Sequence, residues 1–194
     1  MNSSLNLITK YNNNYNEEDI EKLKYGLEGI YLTITKTIII ITLAIIFKIL
    51  KETISILILY NIIRYFAFGF HAEKSIECLI MSSILFIGLP LLIFYLKPLF
   101  ITKLLISIMC TTTIAIFAPA DTIKRPLPNK KKRKIRKICS TIIAIIYSVI
   151  CIIASKKISE IFLCTLIIQA IIVNPITYMI FKQPFNNYKT YIPD

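Results

Sequence analysis

Six apolar runs, each close to the length that crosses a lipid bilayer, leave this chain little choice of environment. They cover roughly residues 31–50, 53–69, 79–96, 99–118, 139–155 and 158–181. Within them the apolar residues are continuous and not spaced for an amphipathic surface. With 56% hydrophobic residues in 194, the chain has too little polar side chain to clothe a soluble domain. The predicted fold class is all-α: a polytopic integral membrane protein with about six transmembrane or re-entrant helices. A four-span arrangement, with the second and third runs re-entrant, fits the same pattern. The first thirty residues are polar and acidic, so no signal peptide is expected ahead of the first run.

Three parts follow along the chain. Residues 1–30 read as a cytoplasmic segment in which Glu17-Glu18-Asp19 opens a helix, their charge suited to its N-terminal dipole. Ile20, Leu23, Leu27 and Ile30 recur at helical spacing, as in a helix lying on the membrane surface. Residues 31–181 form the helical membrane domain, and residues 182–194 a cytoplasmic tail. Tight hairpins are expected around Lys51-Glu52, Lys97-Pro98 and Lys156-Lys157, and longer polar connections at 70–78 and 119–138. Asn174-Pro175 predicts a kink within the last run.

The 119–138 connection carries nine basic residues against one acid, Asp121, which places it in the cytoplasm. With six spans, the N-terminus, the 70–78 loop and the C-terminus share that side, and sixteen of the 23 basic residues lie there. Lys36 falls inside the first run. The net charge of +12 is thus explained by topology and by anionic head groups, and a nucleic-acid partner is not expected.

The chain's lone histidine, His71, and Cys78 bracket the 70–78 loop, just after Gly69. An imidazole and a thiol at a membrane boundary suggest a nucleophile and its base. In one straight helix their backbones would differ by about 10 Å in height, at roughly 1.5 Å per residue, too far for contact. The chain must therefore turn between them, with Gly69 loosening the helix end and Glu73-Lys74-Ser75 supplying the reversal. His71 would take the thiol proton and later return it to a leaving amine. Glu73, Glu77 and Asp121 are the candidates for orienting the imidazole, and spacing does not choose among them. Asp121 reads more readily as a turn residue after Pro119. Arg64 either snorkels to the surface or binds a carboxylate, that of Glu73, Glu77 or a substrate. Five cysteines show no CxxC pair or metal-ligand spacing, so neither a metal, a cofactor nor a disulfide framework is expected.

The pattern Arg64-x4-Gly69-x-His71-Ala72-x5-Cys78 resembles the signature of the accessory gene regulator protein B (AgrB) family. Residues Ala118-Pro119-Ala120-Asp121 through Pro128, ahead of a basic run, resemble that family's second cytoplasmic loop. The resemblance implies a membrane cysteine endopeptidase of quorum sensing. Such an enzyme removes the C-terminal tail of an AgrD-type propeptide and closes the remainder into a thiolactone or lactone autoinducing peptide. It implies Cys78 as nucleophile, His71 as base, and Arg64 and Gly69 as supporting positions. It further implies that Lys130, Lys131, Lys132, Arg133 and Lys134 draw in an acidic propeptide tail, and it suggests a homodimer. The rival reading is a small membrane exporter in which His71 relays protons and Cys78 is incidental.

Overall fold

The computed structural model describes residues 17–70, 75–122 and 127–191. Among these residues every named element is a helix. α1 spans Glu17–Ile46, α2 Leu50–Ala67, α3 Ser75–Ser83 and α4 Leu89–Leu96; a π-helical turn, Ile84–Gly88, joins the last two. α5 spans Phe100–Phe117, α6 Lys130–Ile153, α7 Lys156–Val173 and α8 Pro175–Ile180, with a 3-10 turn at Asn187–Tyr191. This is an all-α membrane protein. Three stretches, Ile76–Leu96, Phe100–Phe117 and Lys130–Ile153, are each long and apolar enough to cross a bilayer. α2 and α7 match α5 in length at 18 residues, but each carries three charged side chains.

α7 is the axis of the bundle. It packs against α2, α4, α5, α6 and α8, and buries Leu163, Cys164, Leu166, Ile168 and Val173 completely. The outward faces of its neighbours stay apolar: Ile54, Ile58 and Ile62 on α2, and Ile101, Leu105 and Ile108 on α5, are exposed. Bare apolar belts of this extent suit lipid, not water. Hydroxyls on these helices bond back to their own backbone, as Thr42, Thr112, Thr113 and Thr141 do to carbonyls four residues earlier.

The short connections expected around Lys51-Glu52, Lys97-Pro98 and Lys156-Lys157 are present, at 47–49, 97–99 and 154–155. α1 closes on Lys48, whose left-handed φ of 57° lets Ile49 N donate to Ala44 O at 2.9 Å. Lys97 ends α4 in the same way, at φ 48°. The π turn precedes Pro90, which lacks the N–H that an α-helical ladder would need there. The kink expected at Asn174-Pro175 separates α7 from α8, and the Asn174 side chain caps α8 by accepting from Ile176 N at 2.9 Å.

Two boundaries differ from the sequence reading. The amphipathic segment at 20–30 is continuous with the first apolar run, because nothing in α1 interrupts its hydrogen-bond ladder. The basic run is helix rather than loop: Asn129 Oδ1 accepts from Lys132 N at 3.0 Å and starts α6 at Lys130.

Candidate functional site

Two polar connections meet at one end of the bundle. α2 ends at Ala67, and the chain leaves it through Phe68, with φ 53°, and Gly69, with φ 131°. Gly69 N donates to Ala120 O at 2.8 Å, and Ala120 N donates to Ala67 O at 3.0 Å. The segment after α5, entered through a cis Ala118–Pro119 peptide, is thereby tied to the segment after α2. α7 holds the segment after α2: Gln169 Nε2 donates to Phe68 O at 2.9 Å, and Phe70 N donates to Ile172 O at 2.9 Å. Phe70 stacks on Phe181 and meets Tyr178 edge-on. The two stretches singled out in the sequence are therefore neighbours in space, although some fifty residues separate Gly69 from Ala120.

Glycine is required at 69. A side chain there would place its Cβ 2.5 Å from Ile172 Cγ2 and 3.2 Å from Ile172 O, at a φ that L residues rarely adopt.

Cys78 lies in the first turn of α3, half-buried and free. α2 ends at Ala67 and α3 starts at Ser75, and the residues expected to supply the reversal, from His71 through Glu73 to Lys74, lie outside the described residues. Glu77 is half-buried in that same first turn of α3. The partner of the sulfur was not anticipated: Lys36, on α1, donates to Cys78 Sγ at 3.1 Å. Its signal in the sequence was a lone cation inside an apolar run, where an ionisable group is costly without a task.

Among the described residues, Arg64 binds backbone carbonyls. Its Nη2 donates to Phe70 O at 3.0 Å and reaches Gly69 O at 3.5 Å, while its guanidinium lies 5.4 Å from the centre of the Tyr60 ring. Charged bonds of this kind contribute about 1.5–3 kcal/mol each, so Arg64 fixes the chain leading to His71. Its Nη1 is buried and makes no hydrogen bond among the described residues.

Asp121 is fully buried and bonded to the turn that follows it. Its Oδ2 accepts from Leu127 N at 3.2 Å, and Oδ1 lies 3.5 Å from Arg133 Nη1. Its carbonyl accepts from Asn187 Nδ2 at 3.2 Å, and Tyr178 Oη donates to Ala120 O at 3.1 Å. Asn187 and Tyr188, beyond the last apolar run, are thus packed against the site end.

Seven of the first eight residues of α6 are basic. Three of them are committed to the fold. Arg133 pairs with Asp121 and lies 3.6 Å over the Tyr188 ring. Arg136 donates to Tyr65 O at 2.6 Å, and Lys137 to Ile116 O at 3.2 Å. Lys130, Lys131, Lys132 and Lys134 are exposed beside them. Cations crowded at the positive end of a helix dipole are unfavourable unless an anion answers them.

The family model for accessory gene regulator B matches residues 1–173. The chain belongs to that family. The "Putative AgrB-like protein" of Listeria innocua is 28% identical over 188 residues, covering 95% of this chain and 91% of that protein. Accessory gene regulator protein B of Staphylococcus saprophyticus is 30% identical over 138 residues, covering 70% of this chain and 73% of its own. That of Staphylococcus carnosus is 34% identical over 119 residues, covering 60% and 62%. No solved structure matches. Membership in the accessory gene regulator B family gives the chain a role in accessory gene regulator quorum sensing.

Proposed function

We propose that this accessory gene regulator B protein is a cysteine endopeptidase that cuts an AgrD-type propeptide and closes it into a cyclic autoinducing peptide. The observation that carries the reading is the placement of Cys78: half-buried, beside a cation, in the helix turn that opens directly after the His71 loop. Only a thiolate attacks well, and an electropositive, partly exposed setting is where reactive cysteines occur.

In the first step His71 takes the Cys78 proton, and the sulfur attacks the scissile carbonyl. The C–N bond breaks, the imidazolium returns the proton to the departing amine, and a thioester joins the propeptide to Cys78. In the second step a propeptide thiol or hydroxyl attacks the thioester. A thiolactone or lactone forms, and Cys78 is released. Water must be kept from the thioester meanwhile. The half-burial of Cys78, packed against the hydrophobic core, supports such exclusion. Gly69 and Arg64 hold the loop, Arg64 Nη1 remaining available to a substrate oxygen. Glu73 or Glu77 is the orienting acid in this scheme, since Asp121 is committed to Arg133 and Leu127 N. The arrangement is a six-span one with the site facing the cytoplasm.

Lys130, Lys131, Lys132 and Lys134 receive the acidic propeptide tail and anionic lipid, with Arg133 set among them as a bridge to Asp121. Replacing the four lysines with glutamine should raise KM about tenfold at low ionic strength, with kcat little changed. The gap should shrink in roughly 0.5 M salt, where screening is nearly complete within a few ångströms. A titration of cleavage rate against propeptide at two salt levels reads this out.

The reading itself is tested by co-expressing a propeptide with this protein and analysing the products by mass spectrometry. A free tail together with a dehydrated, cyclic N-terminal product is expected only when the protein is present. An intact propeptide in both cultures refutes the proposal.

A further inference from the structure

Lys36 sits in the apolar half of α1, and no acidic residue accompanies it between Leu32 and Ile46. A half-buried ammonium in such a place is costly unless a charge meets it. The sulfur of Cys78, on α3, lies 3.1 Å from Lys36 Nζ. A neutral thiol is a poor acceptor and leaves the cation uncompensated; a thiolate satisfies both groups at once.

We propose that Lys36 is the charge partner of Cys78, holding it as a thiolate in the resting protein and again when the ring closes. The inference rests on the processing reading and adds a second helix to its chemistry. The thiol proton passes to His71, and the sulfur keeps its electron pair beside the Lys36 ammonium. Attack on the scissile carbonyl spends that pair in a C–S bond, and the imidazolium proton leaves with the amine. When the propeptide's own thiol or hydroxyl attacks the thioester, its proton goes to His71 and the C–S bond breaks. The electron pair then returns to Cys78, next to the same ammonium. Lys36 therefore serves twice, keeping the nucleophile ready and making the sulfur a better leaving group. The second service favours ring closure over a stalled thioester.

The test uses full-length protein in membranes, with Cys110, Cys139, Cys151 and Cys164 replaced by alanine so that only Cys78 reacts. Iodoacetamide alkylation at neutral pH is followed in the parent and in Lys36→Met and Lys36→Arg. Methionine keeps the length and apolar bulk of the stem, and arginine keeps the charge. Lys36→Met should alkylate about tenfold or more slowly, since the thiolate is the reacting form, and Lys36→Arg should stay within about threefold of the parent. Tail release from a co-expressed propeptide should fall and recover in the same order. A merely structural lysine would not be rescued by charge in both assays. Equal alkylation in Lys36→Met and the parent overturns the proposal, whatever happens to cleavage. Slower alkylation in Lys36→Met, restored by arginine, in a protein that releases no tail supports the ion pair and refutes the processing reading.

Discussion

Cys78→Ala is expected to leave tail release at least about 10⁴-fold below the parent, because the proposed scheme routes the acyl-enzyme through this sulfur. The measurement is the conversion of an epitope-tagged propeptide in membranes, followed by gel mobility. His71→Ala should lose about 10²–10⁴-fold, the usual worth of a positioned acid–base group. The double variant should be hardly worse than Cys78→Ala alone, since the two groups act in one step and their effects do not add. A carrier would behave otherwise. Cargo movement would survive loss of the thiol, and alanine at 78 would matter no more than alanine at Cys139, another half-buried cysteine. Appreciable cleavage by Cys78→Ala would end the peptidase reading.

Gly69→Ala is the second large effect, although the residue bears no reactive group. Its Cβ would fall 2.5 Å from Ile172 Cγ2 at a φ of 131°. The backbone strain and the overlap together cost about 3 kcal/mol. For a chain of this size that lowers the thermal midpoint by roughly 5–10 °C. The loss should appear in heated, detergent-solubilised protein assayed by gel filtration. Cleavage should fall with it, because Gly69 N and Phe70 N tie the loop that leads to His71. Gly88→Ala is the control: nothing lies within 4 Å of its new methyl, and its backbone is helical. That substitution should leave the midpoint unchanged or raise it slightly. Equal behaviour of the two variants would show that the Gly69 turn is not under the constraint described.

The membrane class and the helical segments were legible because hydropathy reports burial in lipid directly. The run at 99–118 became α5 almost residue for residue, as Phe100–Phe117. α6 was read nine residues short, since a helix whose first turns are lysine looks like a loop on any hydropathy scale. The charge bias put the loops of both motifs on one side, but the meeting of Gly69 with Ala120 was not readable. Lys36 was visible and its meaning was not. It reaches a sulfur 42 residues away on another helix, and no spacing rule connects α1 to α3. Arg64 was read as snorkelling or as binding a carboxylate; its bonds to Gly69 O and Phe70 O, which a positive-φ turn brings back toward its own helix, were not readable. Asp121 followed the plainer expectation of a turn residue, with Arg133 and Asn187 as partners that sequence distance concealed.

The self-bonded hydroxyls of the lipid-facing helices bear on how two copies of this chain could associate. Thr42, Thr112, Thr113 and Thr141 already spend their protons on carbonyls one turn back. In hydrocarbon, unspent hydroxyls and amides are the adhesive between helices. These surfaces offer a second protomer mainly methyl groups, so shape alone, a ridge of isoleucines seated in a matching furrow, would have to hold such a pair together.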